Sequence, residues 1–123
     1  MIGVGIFIGG GLGAVLRYSV EGVISERQRS PFPLSTLVIN VSGSAVLGVI
    51  AGLLARGALP VNAALWLGTG VVGGYTTFST FTYETLRLVE DSAWRYVGWN
   101  VALSGPLSFA AAGATYVIAK GGW

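Results

Sequence analysis

The chain contains no cysteine and no histidine. Without thiols there is no disulfide staple and no cysteine nucleophile, and without imidazole the usual transition-metal ligand sets are missing. No nucleophile–base pair stands out either, so the residues point away from an enzyme. Charge is also scarce. Only 10% of residues are charged, whereas a soluble domain carries about 25%. The formal net charge of +2 is small and scattered, which gives no basic patch for a nucleic-acid partner. The N-terminus lacks the basic region and small-residue cleavage site of a secretory signal, so the first apolar run is expected to stay as a membrane span.

Apolar residues take up the room that charge leaves, at 53% of 123 residues. A hydrocarbon layer about 30 Å thick is crossed by roughly 20 apolar residues in a helix. Four runs reach that length, at about residues 2–24, 34–54, 61–88 and 93–119. Between them lie "SERQRSPFP", "ARGALP" and "VEDS", where charges and three of the four prolines collect. Residues 1–123 therefore read as one all-α integral membrane domain of four helices. Arg27, Arg29, Arg87 and Arg95 fall on one side of the membrane, with Arg17 embedded near them, and Arg56 and Lys120 fall on the other. By the positive-inside rule this tends to put the N-terminus outside, but the asymmetry is small enough to permit insertion in either orientation.

Glycine is abundant, with 20 copies, and it is periodic. Gly5, Gly9 and Gly13 recur every four residues in the first run, as do Gly48 and Gly52 in the second. Such spacing lets helix backbones approach closely, which is what holds helices together in lipid. Four short helices rarely enclose a polar path alone, so association of two or more copies is expected.

Polar side chains inside the runs are costly in lipid and usually face a cavity or a neighbouring helix. Asn40 lies about two turns into the second run, and its amide offers two donors and an acceptor without formal charge. In the fourth run Tyr96, Asn100, Ser104 and Ser108 recur every four residues, one polar stripe down an apolar helix. The wall of a pathway and an interhelical hydrogen-bond seam both account for that stripe. Pro106 removes a backbone donor and is expected to distort the same helix. Arg17 either snorkels to the interface or stands as a cation at the mouth of an anion path. Glu21 and Glu84 lie near span ends, and no acidic residue occupies the middle of a span.

The third run carries "GGYTTFSTF", Gly73 to Phe81. Gly73 and Gly74 are expected to loosen the helix there, and unwound backbone at membrane depth needs shielding by protein or by a watery cavity. Its freed carbonyls can coordinate a small cation such as Na⁺, while Thr76 and Thr77 add hydroxyls. Phe78 and Phe81 are three apart and share a face once a helix resumes. Core or lipid contact is the ordinary role of such a pair. Aromatic rings also have a positive edge, and two edges turned into a narrow path would stabilise an anion, with Ser79 and Thr80 donating hydroxyl hydrogens between them.

Taken together, "GAVLRY", "TLVINVSG" and "GGYTTFSTF" resemble the Fluc (CrcB-type) fluoride-specific ion channel family, in order and with suitable spacing along most of the chain. The resemblance implies a single transmembrane channel domain with a broken third helix. It also implies an antiparallel, dual-topology homodimer in the inner (plasma) membrane, with two fluoride pores. A structural Na⁺ at the dimer centre would be held by the backbone carbonyls of Gly73 and Thr76. On the same resemblance Asn40, Phe78, Phe81, Ser79, Thr80, Tyr96, Ser104 and Ser108 belong to the fluoride pathway, and Arg17 to its vestibule. Tyr75 stands where the family often carries leucine, and Asn100 is a further departure. The expected function is passive, selective export of fluoride from the cytoplasm. A small dual-topology multidrug transporter is the rival, but Glu21 is too near its span's end to serve as the buried carboxylate of that class. A non-transporting structural membrane subunit would need neither the stripe nor the break.

Overall fold

The structure is a computed structural model that describes residues 2–28, 32–76 and 79–121, with the backbone alone for Ser79 and Thr80. The described residues form helices and no strand: α1 (Ile2–Arg27), α2 (Leu34–Ala55), α3 (Val61–Ala64), a π-helical stretch (Leu65–Val72), α4 (Gly73–Tyr75), α5 (Ser79–Glu90) and α6 (Trp94–Lys120). At 1.5 Å per residue, the 22 residues of α2 extend about 33 Å, enough to cross the hydrocarbon layer. Three helices, α1, α2 and α6, are long and apolar enough to span a membrane.

The surface is that of a molecule solvated by lipid. Phe7 is 83% exposed and Phe109 84% exposed, and apolar side chains cover the outward faces of α1, α2 and α6. In water, exposed apolar patches of this extent would drive association; acyl chains cover them without penalty. The interior is correspondingly thin. Ile39, Ile50, Ala64, Val72 and Leu88 are its buried apolar residues.

Close backbone approach takes over the work of a core. The broadest interface joins α2 to α6. Gly48 of α2 faces the Ala112 carbonyl and the Thr115 side chain of α6 so closely that any Cβ would collide with them. A second seam joins α1 to the π-helical stretch and α4. There a Cβ on Gly70 would stand 3.0 Å from the Ile6 carbonyl oxygen, and one on Gly74 would strike the backbone of Gly10. Backbone atoms cannot swing aside as a side-chain tip can, so these positions admit only hydrogen. The periodic glycines of the first two runs thus lie at the seams that their spacing predicts.

Two features of the helices differ from expectation. Gly73 keeps helical backbone angles (φ −60°, ψ −38°), and the helix ends later, at Thr76, whose backbone is extended (φ −80°, ψ 158°). Gly74 serves the seam with α1 rather than the departure from helix. Thr76 closes the last turn itself: its backbone N–H and its hydroxyl both donate to the Val72 carbonyl, at 2.9 and 3.1 Å. The second difference is the widened π-helical turn at Leu65–Val72, which no periodicity in "LWLGTGVV" announces; such turns recur at functional sites. Helix α6 continues through Pro106.

A candidate ion pathway between α2, α5 and α6

A cavity of about 500 Å³ opens between α2, the end of the π-helical stretch, the first turn of α5 and the middle of α6. Its polar lining comes from Asn40 and Ser44 of α2, Thr76 at the helix end, and Ser104 and Ser108 of α6, with the Phe81 ring beside them. None of its lining residues among those described is charged. Helical spacing accounts for the lining: Asn40 and Ser44 are four apart, as are Ser104 and Ser108, so each pair projects from one face of its helix. Gly43 lets α2 come this near, since a Cβ there would strike the Thr76 side chain.

The polar atoms around the cavity are in different states. Ser104 and Asn100 are buried, and the Ser104 hydroxyl donates to the Asn100 side-chain oxygen at 3.2 Å. The Ser108 hydroxyl is also buried, but it has no hydrogen-bond partner among the described residues. Buried hydroxyls are ordinarily paired, so this donor is available to whatever enters the cavity. Ser42, one turn from the cavity, shares a 3.0 Å bond with the Tyr75 phenol and ties α2 to α4. Tyr75 therefore has a structural partner that a leucine could not have.

Of the residues singled out in the sequence, Asn40, Thr76, Phe81, Ser104 and Ser108 meet at this cavity. Tyr96 does not line it. It stands in the first turn of α6, with its hydroxyl accepting from Arg95 at 3.1 Å and its ring tilted against Phe32 at 6.4 Å. Arg17 is half-buried on α1 and lies apart from the lining as well. Gly73 is exposed. Phe78 lies outside the described residues, and Ser79 and Thr80 are placed by backbone only, at the start of α5.

The sequence reading missed three groups. Thr36 of α2 donates to the Glu84 carboxylate of α5. Glu84 is half-buried and lines a smaller cavity of about 260 Å³ with Pro33, Arg87, Leu88 and Asp91. Nothing local in the sequence marks that pair, because 48 positions separate its members. Ser44 was visible as a serine one turn from Asn40. Thr85 could have been found by extending the helical face of Phe81 by four residues.

The family described as CrcB-like protein, Camphor Resistance (CrcB), matches residues 4–116 of this sequence. This chain belongs to the CrcB family. A relative from Mycolicibacterium paratuberculosis, named fluoride-specific ion channel FluC 2, is 49% identical over 109 residues, covering 89% of this chain and 86% of the relative. The FluC 2 of Mycobacterium bovis is 46% identical over 111 residues, covering 90% and 85%. A FluC from a Methylobacterium species is 47% identical over 89 residues, covering 72% and 71%. These CrcB relatives are named as channels and not as enzymes. Family membership and the three long apolar helices make this chain a multi-pass protein of the cell membrane.

Proposed function

We propose that this chain forms a fluoride-selective channel that lets fluoride leave the cytoplasm passively, down its electrochemical gradient. The observation that carries the reading is the uncharged lining of the larger cavity, where an amide, hydroxyls and an aromatic ring converge at membrane depth. Fluoride is small and strongly hydrated, so it enters a narrow path only where other donors replace its water. A fixed positive charge would hold it too tightly, and conduction is fastest across several moderate sites. Asn40, Ser104, Ser108 and the edge of Phe81 have that moderate character. Phe78, Ser79, Thr80 and Tyr96 complete the path in this reading, and Arg17 draws anions to its mouth. The names of the relatives support fluoride as the ion.

Two copies inserted antiparallel would complete the assembly, each contributing to one of two pores. The small charge asymmetry between the two membrane sides allows both orientations. The third span is then interrupted at Thr76, where the helix ends. The residues there also suit a structural Na⁺ at the dimer centre. Thr76 has left the helical conformation and Gly73 is exposed without a side chain, so both backbones offer oxygen donors of the kind a hard cation takes. The ion would supply fixed positive charge near the anion paths, and Gly73 and Thr76 are the residues that would hold it.

The test is efflux from proteoliposomes loaded with fluoride or chloride, followed with ion-selective electrodes. Rapid fluoride release with negligible chloride release is expected. Comparable release of both ions, or of neither, overturns the assignment.

A further inference from the structure

Two residues of the polar stripe of α6, Tyr96 and Asn100, do not line the cavity, and the second of them is the better buried. Asn100 is 0% exposed, and its amide is used on both ends. Its oxygen accepts from the Ser104 hydroxyl at 3.2 Å, and its nitrogen donates to the Thr85 hydroxyl oxygen at 2.8 Å. Thr85 has a single hydroxyl hydrogen, and that hydrogen goes to the Phe81 carbonyl at 2.7 Å. The oxygen of Thr85 must therefore accept, and only the nitrogen end of the amide can face it. The result is a relay with one direction, from Ser104 through Asn100 and Thr85 to the backbone of Phe81.

This relay matters because it joins α5 to a long helix at the turn that carries Phe81. The neighbour of α5 is chiefly α6, and Leu88 is its one buried apolar residue among those described. Helical continuity with α4 ends at Thr76. Side-chain bonds from the long helices to α5 include Thr36 to Glu84 and Asn100 to Thr85. The second engages the turn that carries Phe81, whose ring lines the cavity.

We infer that Asn100 is a positioning residue, which holds the first turn of α5 and so sets where the Phe81 ring stands against the ion path. An alanine at this position offers neither donor nor acceptor, and a serine offers both on one short hydroxyl, without the reach of an amide whose oxygen and nitrogen face Ser104 and Thr85 separately. The inference rests on the proposed role of Phe81 in the path, but its geometric part can be read without any flux.

The chain has no cysteine, so Phe81→Cys introduces a single thiol whose labelling rate reports the exposure of that position. Adding Asn100→Ala should raise the labelling rate by roughly three- to tenfold, the equivalent of one lost hydrogen bond. Thr85→Val, which keeps shape and removes the hydroxyl, should do the same, and Thr85→Ser should restore the original rate. In liposomes, with Phe81 intact, Asn100→Ala and Thr85→Val should each slow fluoride efflux and weaken its preference over chloride. The double variant should be no worse than either alone. An unchanged labelling rate in both backgrounds overturns the positioning role. So does wild-type efflux from assembled Thr85→Val, or a double variant in which the losses multiply. Altered labelling alongside a wild-type protein that passes no fluoride would leave Asn100 in place and remove the function assigned to the path.

Discussion

The two halves of the chain between residues 65 and 90 are held by different physics. Residues 65–75 lie in a seam of glycines against α1, where Gly10, Gly70 and Gly74 bring backbones together without a side chain between them. Residues 79–90 have no such seam; they are tied by Thr36 to Glu84 and by Asn100 to Thr85. Steric contact between backbones fixes a helix rigidly, because any displacement meets a hard wall. A hydrogen bond fixes it more softly, and in a site shared with an ion it can exchange partners. The half that places a ring beside the cavity is the softer one. That division is reasonable for a channel, since the scaffold must not move while the groups facing a passing ion must yield slightly.

Breaking the rigid half should have the largest consequence. Gly13 lies against the Val71 carbonyl and the Tyr75 amide, with no room for a Cβ. Gly13→Leu would force α1 away from the whole stretch, at a cost of about 3 kcal/mol or more. Loss of the monodisperse species in detergent, with a lowered melting temperature, is the expected outcome. Unchanged assembly would mean that α1 does not depend on this approach.

Changing the soft half should alter transport and leave the fold alone. Phe81 is only half-buried, so Phe81→Ile removes a ring edge without emptying a core. Fluoride efflux should fall more than tenfold, somewhat beyond the worth of one aromatic contact, while the elution volume stays the same. Efflux at the wild-type rate would place the ring outside the path.

The contrast also explains what was legible in the sequence. The seams were readable because glycine every four residues is a local pattern with one common physical use in lipid. Asn40, Ser104 and Ser108 were readable because polar atoms stand out against an apolar background. The exact place where helix gives way was not. Gly73 and Gly74 looked like the weak point, yet they are helical, and Thr76 ends the helix by bonding back to Val72. A small residue can loosen a helix or tighten a seam, and only the neighbouring backbone decides which. The bonds that hold α5 were hidden for another reason. Thr36 to Glu84 and Asn100 to Thr85 join residues far apart in the chain, and no periodicity within a single helix encodes them.

The smallest expected effect is at Ser108, and there the two kinds of measurement should separate. Its buried hydroxyl has no partner among the described residues, so Ser108→Ala breaks no bond within the protein. A substitution that strands no polar group should leave stability within about 0.5 kcal/mol of the parent. If the same hydroxyl solvates fluoride in transit, its removal takes away one of several donors in a path of moderate sites. Fluoride efflux should then fall by roughly two- to fivefold, less than the value of a full hydrogen bond because water can partly replace the donor. Thermal unfolding in detergent and electrode-monitored efflux on the same preparation decide the matter. A fall in stability at constant flux would mean that the hydroxyl holds two elements together, as Asn100 does. A fall in flux at constant stability would place it among the groups that meet the ion.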